Sequence, residues 1–417
     1  MRATSPLPGV LGAALLSCAG CPKQTPRAER TPDPIPSRKP SQPKEVKDTT
    51  RTAVSHPAPR PIHGMFRGGR QRQGRTAHAI PTAPLAILWR HQTSRPIVSS
   101  PALDHAGNVY VGTLGGAVVS IDPRGKVRWR RPTGGRVFAS PTLADGRVVV
   151  GTDADELLAL DSANGQVVWR FALGPCVTGP GLGPDSVRCD ADTSPLAGPD
   201  GTIYVGGDAL YALTPAGKLR WRVDLGGHLF SSPAMGGEGT LYIGTQANTV
   251  VAVDPTGAKR WEFSGKGDFD ATPALVDDTT LVIGCDDGTL YALDTASGAQ
   301  RWAVRTWRPI RSSAAVDSAR NVVLVGTDGG RLLAVESSTG QVRWRYSTGG
   351  AIRSSPVVDE QGTVVVGSQD DHVYALDSTG KLLWKVHLGG DVDSSVAVAP
   401  GGTLYVGADD GGLYALH

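Results

Sequence analysis

The sequence predicts an all-β fold, an eight-bladed β-propeller of four-stranded antiparallel blades, and three observations lead to it. Trp89, Trp129, Trp169, Trp221, Trp261, Trp302, Trp344 and Trp384 follow one another at intervals of 40, 40, 52, 40, 41, 42 and 40 residues, and only Trp307 of the nine tryptophans lies outside the series. A fixed period near 40 residues marks a repeat architecture, in which each unit buries its apolar faces against its neighbours. Second, each period holds four short apolar runs separated by turn residues, a spacing that fits strands and leaves no room for helix pairs. Third, an inner-strand phrase occurs eight times, as "IVSSP", "VFASP", "DTSP", "LFSSP", "DATP", "IRSSA", "IRSSP" and "VDSSV", while "GLYALH" ends the chain one strand short of a complete eighth unit. The missing outer strand stands at the other end, in "AILWRH" at 86–91. The N-terminal strand is therefore expected to pair with the last blade and close the ring without an open edge.

The elements follow in chain order. Arg2 is followed by "PLPGVLGAALLS", an uncharged run too short to span a bilayer but of the length of a signal-peptide core. It leads into "LLSCAGC", which resembles the lipobox of bacterial lipoproteins. Cys18, preceded by Leu15, Leu16 and Ser17, is the expected lipidation site and Cys21 the alternative; an ordinary cleaved signal is the competing reading. The stretch from Pro22 to Arg60 carries nine Lys or Arg against four Asp or Glu and too few apolar residues to form a core. It reads as a Pro-rich, disordered tether, with a reach of about 35 Å as a coil and roughly 120 Å in polyproline II. The expected division is a signal peptide at 1–17, the tether at 18–60 and the propeller at 61–417, with a lead-in over 61–85.

Blade one is the pattern for the rest. "IVSSPAL" (97–103) reads as strand one, "NVYVGT" as strand two, "AVVSID" as strand three and "KVRWR" as strand four. "GTDADE", "GCDDGT", "GTDGGR" and "GADDGG" supply Gly and Asp to the hairpins between strands two and three, where positive φ is required. Blade three alone is longer, by the insertion "LGPCVTGPGLGPDSVRCDADTSP". In an oxidising compartment its Cys176 and Cys189 are expected to form a disulfide. Cys285, at a strand end, is expected to be a buried free thiol.

The phrase A-x-D-x-x-x-G-x-x-x-W stands whole as "ALDSANGQVVW" and "ALDTASGAQRW", with shorter forms "AVDPTGAKRW" and "ALDSTGKLLW". It resembles the tryptophan-docking repeat of pyrroloquinoline-quinone-type (PQQ-like) eight-bladed propellers, over roughly 61–417, where "MFRGGRQRQGRT" looks like that family's lead-in. The chemistry of the phrase is structural. The Asp accepts backbone N–H bonds in the turn, the Gly takes a left-handed position, and the Trp lies between blades, where an aromatic of its size covers about 150–250 Å².

The resemblance implies a fold with more than one activity. Quinone-dependent members use adjacent cysteines, a calcium site and stacking aromatics; this sequence has no adjacent Cys pair, and neither the quinone nor calcium is expected. Asp190 and Asp192 form an Asp-x-Asp pair that is common in turns, and the nine His residues propose no Ser-His-Asp set. Residues 61–417 carry 32 Lys or Arg against 35 Asp or Glu, so nucleic acid is not an expected partner. Arg128, Arg130, Arg170, Arg220, Arg222, Arg343 and Arg345 fall on outer strands, where charge blocks edge pairing.

Against this repetition the second residue of strand one changes from blade to blade: Val98, Phe138, Asp192, Phe230, Asp270, Arg311, Arg353 and Asp393. These positions start close to the central channel. Asp192, Asp270, Arg311, Arg353 and Asp393, with His228 in the loop entering blade four, are the candidate recognition face; mutual neutralisation, Arg353 with Asp393 for example, is the alternative. The leading expectation is a non-enzymatic, lipid-anchored, monomeric scaffold, similar to the outer-membrane assembly lipoproteins of the BamB type, facing the periplasm and binding an envelope protein. The alternatives are a small quinone-dependent dehydrogenase and a cell-wall or polysaccharide binder.

Overall fold

A computed structural model describes residues 64–174 and 191–417. The expectations for Cys18, Cys21, Cys176, Cys189 and the tether lie outside the described residues. Eight separate four-stranded antiparallel sheets account for every strand among the described residues. Blade one consists of Ala102–Leu103, Val109–Thr113, Ala117–Ile121 and Val127–Pro132, and six blades repeat it over 142–172, 196–223, 234–264, 274–305, 315–347 and 357–387.

Blade eight is assembled from both ends of the described chain. Ala397–Val398, Leu404–Gly407 and Gly412–Leu416 supply three strands, and Ile87–Gln92 supplies the outer one. The outer strand runs antiparallel to Gly412–Leu416, with Trp89 opposite Ala415 and Gln92 opposite Gly412, and the main chains of Ala86 and His417 exchange both hydrogen bonds. The expected closure is therefore present.

Middle strands are buried along all or nearly all of their length, with only end residues partly exposed, whereas outer strands alternate, as in the exposed and half-buried pattern of Val167–Ala172. That difference follows from position: a middle strand is covered on both faces by neighbouring blades, while the outer strand faces solvent. The docking tryptophans join successive blades. Each indole Nε1 donates to a main-chain carbonyl of the next unit, at Pro123, Ser162, Pro215, Pro255, Thr295, Ser337 and Ser378 for the first seven. The ring lies on the turn glycine of that unit: at Gly298, whose φ is +73°, an added Cβ would come within 2.5 Å of the Trp261 ring. The turn aspartates act as the phrase requires, Asp122 accepting from the N–H groups of Arg124 and Lys126 and Asp377 from those of Thr379 and Lys381.

Blade eight has no turn between its third and fourth strands, because they come from opposite ends of the sequence. Trp384 accordingly donates to Pro81 of the lead-in, at 2.7 Å. The lead-in does more than fill that gap. It passes beneath the inner strands, its carbonyls at Gly64, Arg70, Gln71, Gln73 and Gly74 accepting from the N–H groups of Leu143, Met235, Leu275, Val316 and Val358. Arg67 and Arg72 are buried on the axis. The Arg67 guanidinium donates to the carbonyls of Arg72, Ala314 and Pro356, and that of Arg72 to those of Phe66, Ser194, Pro195 and Pro233. Burial lowers both to about 9, so both remain charged at neutral pH, satisfied by carbonyl dipoles from several blades at once.

One boundary differs from expectation. Strand one was expected over 97–103, but its sheet pairing is confined to Ala102–Leu103. Residues 97–101 lie outside the sheet, with a bend at Ser99, and make hydrogen bonds around the channel instead.

Candidate functional site

The phrase x-S-S-P explains the channel. Ser99 points into its own blade, where its Oγ accepts from the Gly112 N–H, and Ser231, Ser312, Ser354 and Ser394 do the same for Gly244, Gly326, Gly367 and Gly407. Ser100 points to the channel. Its N–H donates to Ser140 Oγ of the next blade at 3.0 Å, and the pattern continues through Ser194, Ser232, Thr272, Ser313, Ser355 and Ser395. It closes where Ser395 N–H donates to Ser100 Oγ at 3.0 Å. A continuous belt of main-chain to hydroxyl bonds thus lines the axis.

The varied residues form the next layer up. Val98, Phe138, Asp192, Phe230, Asp270, Arg311, Arg353 and Asp393 all line one cavity of ≈170 Å³ at the channel mouth, with the hydroxyl belt below them and Phe66 of the lead-in as its floor. The structure thus brings the varied set together. His228 stands beside it, its ring 4.7 Å from that of Phe230 and its carbonyl accepting from the Gln246 N–H.

The mouth has two characters. Blades one, two and four contribute Val98, Phe138 and Phe230, with Asp192 between the phenylalanines, while blades five to eight contribute only charged residues. Arg311 pairs with Asp286 at 2.7 Å and Asp328 at 3.3 Å. Arg353 lies 3.5 Å from Asp328, whereas Asp393 accepts from the Gln369 side-chain amide at 3.0 and 3.1 Å. The arginines thus form their closest ion pairs with hairpin carboxylates beside the ring, while the charge of Arg353 still favours the ionised form of Asp393 against burial. Acid remains in excess on this side. Burial, followed by the charges of Asp286 and Asp268, pushes the Asp270 carboxyl up to about 6; burial, followed by Asp393 and Asp391, does the same for Asp409.

A second, wider cavity of ≈1210 Å³ lies at the other end of the inner strands, between the lead-in and blades one to three, lined by residues such as Arg70, Arg75, Asp104, Asp145, Arg147 and Asp200. Cys285 is buried and unpaired, and burial pushes its thiol up to about 12, which leaves it inert as a nucleophile at neutral pH. No group of three His, Cys, Asp or Glu among the described residues is placed to hold a metal ion.

Sequence reasoning found the varied ring but missed three parts of its setting. The hydroxyl belt was visible as the Ser or Thr recurring two residues after each varied position. Arg67 and Arg72 were visible only as basic residues of a lead-in, with nothing to indicate burial. The floor supplied by Phe66 had no local signal.

A family model described as outer membrane protein assembly factor BamB matches residues 86–207, 206–367 and 344–417. The chain is 35% identical over 98 residues to Protein Rv3035 of Mycobacterium tuberculosis, 23% of each chain, and 27% identical over 84 residues to the outer membrane protein assembly factor BamB of Nitrosomonas eutropha, 20% of each. The matches thus span less than a quarter of these curated relatives. Among solved structures, BamB from Moraxella catarrhalis superposes with a TM-score of 0.65 at 18% identity, over 80% of this chain and 99% of that one. Quinohemoprotein alcohol dehydrogenase from Comamonas testosteroni gives 0.73 at 15% identity, over 85% and 80%. At such identities the superpositions establish the fold alone.

Proposed function

The chain belongs to the family of the outer membrane protein assembly factor BamB, whose model spans all eight blades, and from that premise we propose that it is a non-enzymatic, lipid-anchored scaffold of the bacterial cell envelope. It presents the channel-mouth face to a partner protein from the periplasmic side of the outer membrane, with Cys18 as the attachment point and the tether as the spacer. The observation that carries this reading is the convergence of all eight varied residues on one mouth. A uniform frame holds eight independent positions in register, and a mixed aromatic and charged surface of this kind is what protein recognition requires.

The quinone-dehydrogenase reading draws support from the superposition on the Comamonas enzyme. The mouth, at ≈170 Å³, falls below the roughly 300–1,000 Å³ of sites that enclose a cofactor-sized ligand, so on this reading the ligand would occupy the wider cavity of ≈1210 Å³ at the other end. Absorbance of a bound quinone in the purified protein would overturn the scaffold assignment.

The direct test is cross-linking in intact membranes, with wild type compared against the double variant Arg311→Glu and Arg353→Glu. Both arginines are partly exposed, so each ion pair contributes only about 0–1 kcal/mol to stability. Capture of an envelope protein should be lost while thermal unfolding stays nearly unchanged. Undiminished capture by the folded variant would place the working surface elsewhere.

A further inference from the structure

Trp307 is the one tryptophan outside the docking series, and the fold does not use it. It is 73% exposed, in the connection between blades five and six. Its backbone is left-handed, with φ at +66°, a conformation that is costly for a bulky residue. The other connections show what ordinarily stands there. Thr133, Thr306 and Thr348 each accept a place in the same turn, the hydroxyl donating to the carbonyl two residues on, at Gly135, Arg308 and Gly350. Trp307 thus occupies the position of Gly134, whose φ is +87°, and shares its left-handed backbone, while Gly349 holds the same place without a positive φ.

The loop is held firmly in this shape. Thr306 gives its N–H to the Gly288 carbonyl at 2.7 Å, its single hydroxyl proton is shared between that carbonyl and the one of Arg308, each at 2.9 Å, and the Arg308 backbone packs so closely that a Cβ at Gly288 would meet it at 2.8 Å. The Arg305 guanidinium stacks 4.1 Å from the indole, covering one face and leaving the other open. The same loop leads directly to Arg311 of the mouth.

We propose that Trp307, braced by Arg305 and flanked by Arg308, is the anchor of the recognition face and inserts into an apolar socket bordered by carboxylates on a partner protein. This rests on the scaffold reading and names the chemistry of its partner. A left-handed backbone imposed on an exposed tryptophan is retained where display of the side chain outweighs local comfort, and Trp with Arg is the composition of binding hot spots. A lipid surface is disfavoured because the other large exposed apolar side chains among the described residues, Ile87, Leu88, Val127, Val168 and Leu219, lie on outer strands and not on the connection that carries Trp307.

The test uses the full-length protein and the partner identified by membrane cross-linking, then purified. Trp307→Asn, which tolerates the left-handed backbone, should weaken binding about tenfold or more while the melting temperature holds or rises; Trp307→Phe should recover part of the affinity. Arg308→Glu should weaken binding, with the loss shrinking at high salt. Absence of any captured envelope protein with wild type would refute the scaffold reading itself. A captured partner that binds Trp307→Asn at wild-type affinity would refute only the anchor. A fall in melting temperature in Trp307→Asn would show that the indole serves packing, and loss of retention on purified peptidoglycan with protein binding intact would assign Trp307 to a glycan; either overturns the proposal.

Discussion

Replacing Trp384 by Ala tests how the ring is closed. Of the eight docking tryptophans this is the deepest, at 3% exposure, and it packs in a cluster that includes Ile80 of the lead-in, Val357 of its own blade and Leu416 of blade eight. Truncating a buried Trp to Ala costs about 3–5 kcal/mol through lost burial and the cavity left behind. The Pro81 carbonyl also loses its donor; Pro81 is only half-buried, so water replaces much of that bond and about 1 kcal/mol is a fair addition. The sum, about 4–6 kcal/mol, is a large part of the roughly 5–15 kcal/mol that holds a folded domain together. Trp384→Phe, which keeps an aromatic ring but no donor, should lose about 1–2 kcal/mol. Urea unfolding followed by circular dichroism gives both values, with the slope reporting whether the same surface is exposed. A loss below about 2 kcal/mol for Trp384→Ala at unchanged slope would mean that the lead-in is not a functioning part of blade eight.

Three further outcomes are expected. Ser140→Ala removes the acceptor for the buried Ser100 N–H and should cost about 1–3 kcal/mol in urea unfolding, while Ser140→Thr should be tolerated, because Thr272 fills the same place in blade five. Asp270→Asn should stabilise the protein above pH 6: the folded state raises that carboxyl to about 6, so ionisation costs nothing below about pH 4, a growing amount between the two values and a constant amount above. The gain should be of order 1 kcal/mol at pH 7.5 after screening and should vanish near pH 4; the same gain at both pH values would contradict the shift. Mass spectrometry of non-reduced protein should join Cys176 to Cys189, and free thiols at both positions in freshly exported protein would remove that disulfide from the account.

The ring was legible because repetition makes one physical requirement appear many times. Each of the first seven Trp residues needs a glycine turn and a carbonyl on the next blade, and the phrase from Asp161 to Trp169 carries the sequence pattern whole. Even the unequal ends were readable, since an outer strand missing after Leu416 had its match in Ile87–Gln92. Strand one was overextended because "IVSSPAL" has strand composition throughout, yet Ser99 and Ser100 spend their hydrogen bonds on Gly112 and on the neighbouring blades. The varied positions were found as departures from the repeat. Their partners were not, because Asp286 and Asp328 sit in hairpins whose approach to Arg311 depends on how adjacent blades are rotated. The lead-in was the least legible part: used once, it has no second copy against which Arg67 and Arg72 stand out.

The composite eighth blade has a bearing on how the molecule is made. Ile87–Gln92 emerges early in synthesis, yet its hydrogen-bonding partner, Gly412–Leu416, is separated from it by about three hundred residues. Until that partner arrives, the early strand exposes an unpaired edge with Ile87, Leu88 and Trp89 on it, the kind of segment that attracts other strands. Loop closure over such a separation is slow. Biogenesis therefore has a waiting period in which a holdase would be needed at the front of the chain, and a nascent chain interrupted anywhere before blade eight cannot complete the circle. The last strand to appear acts as a latch, and only finished molecules can shut it.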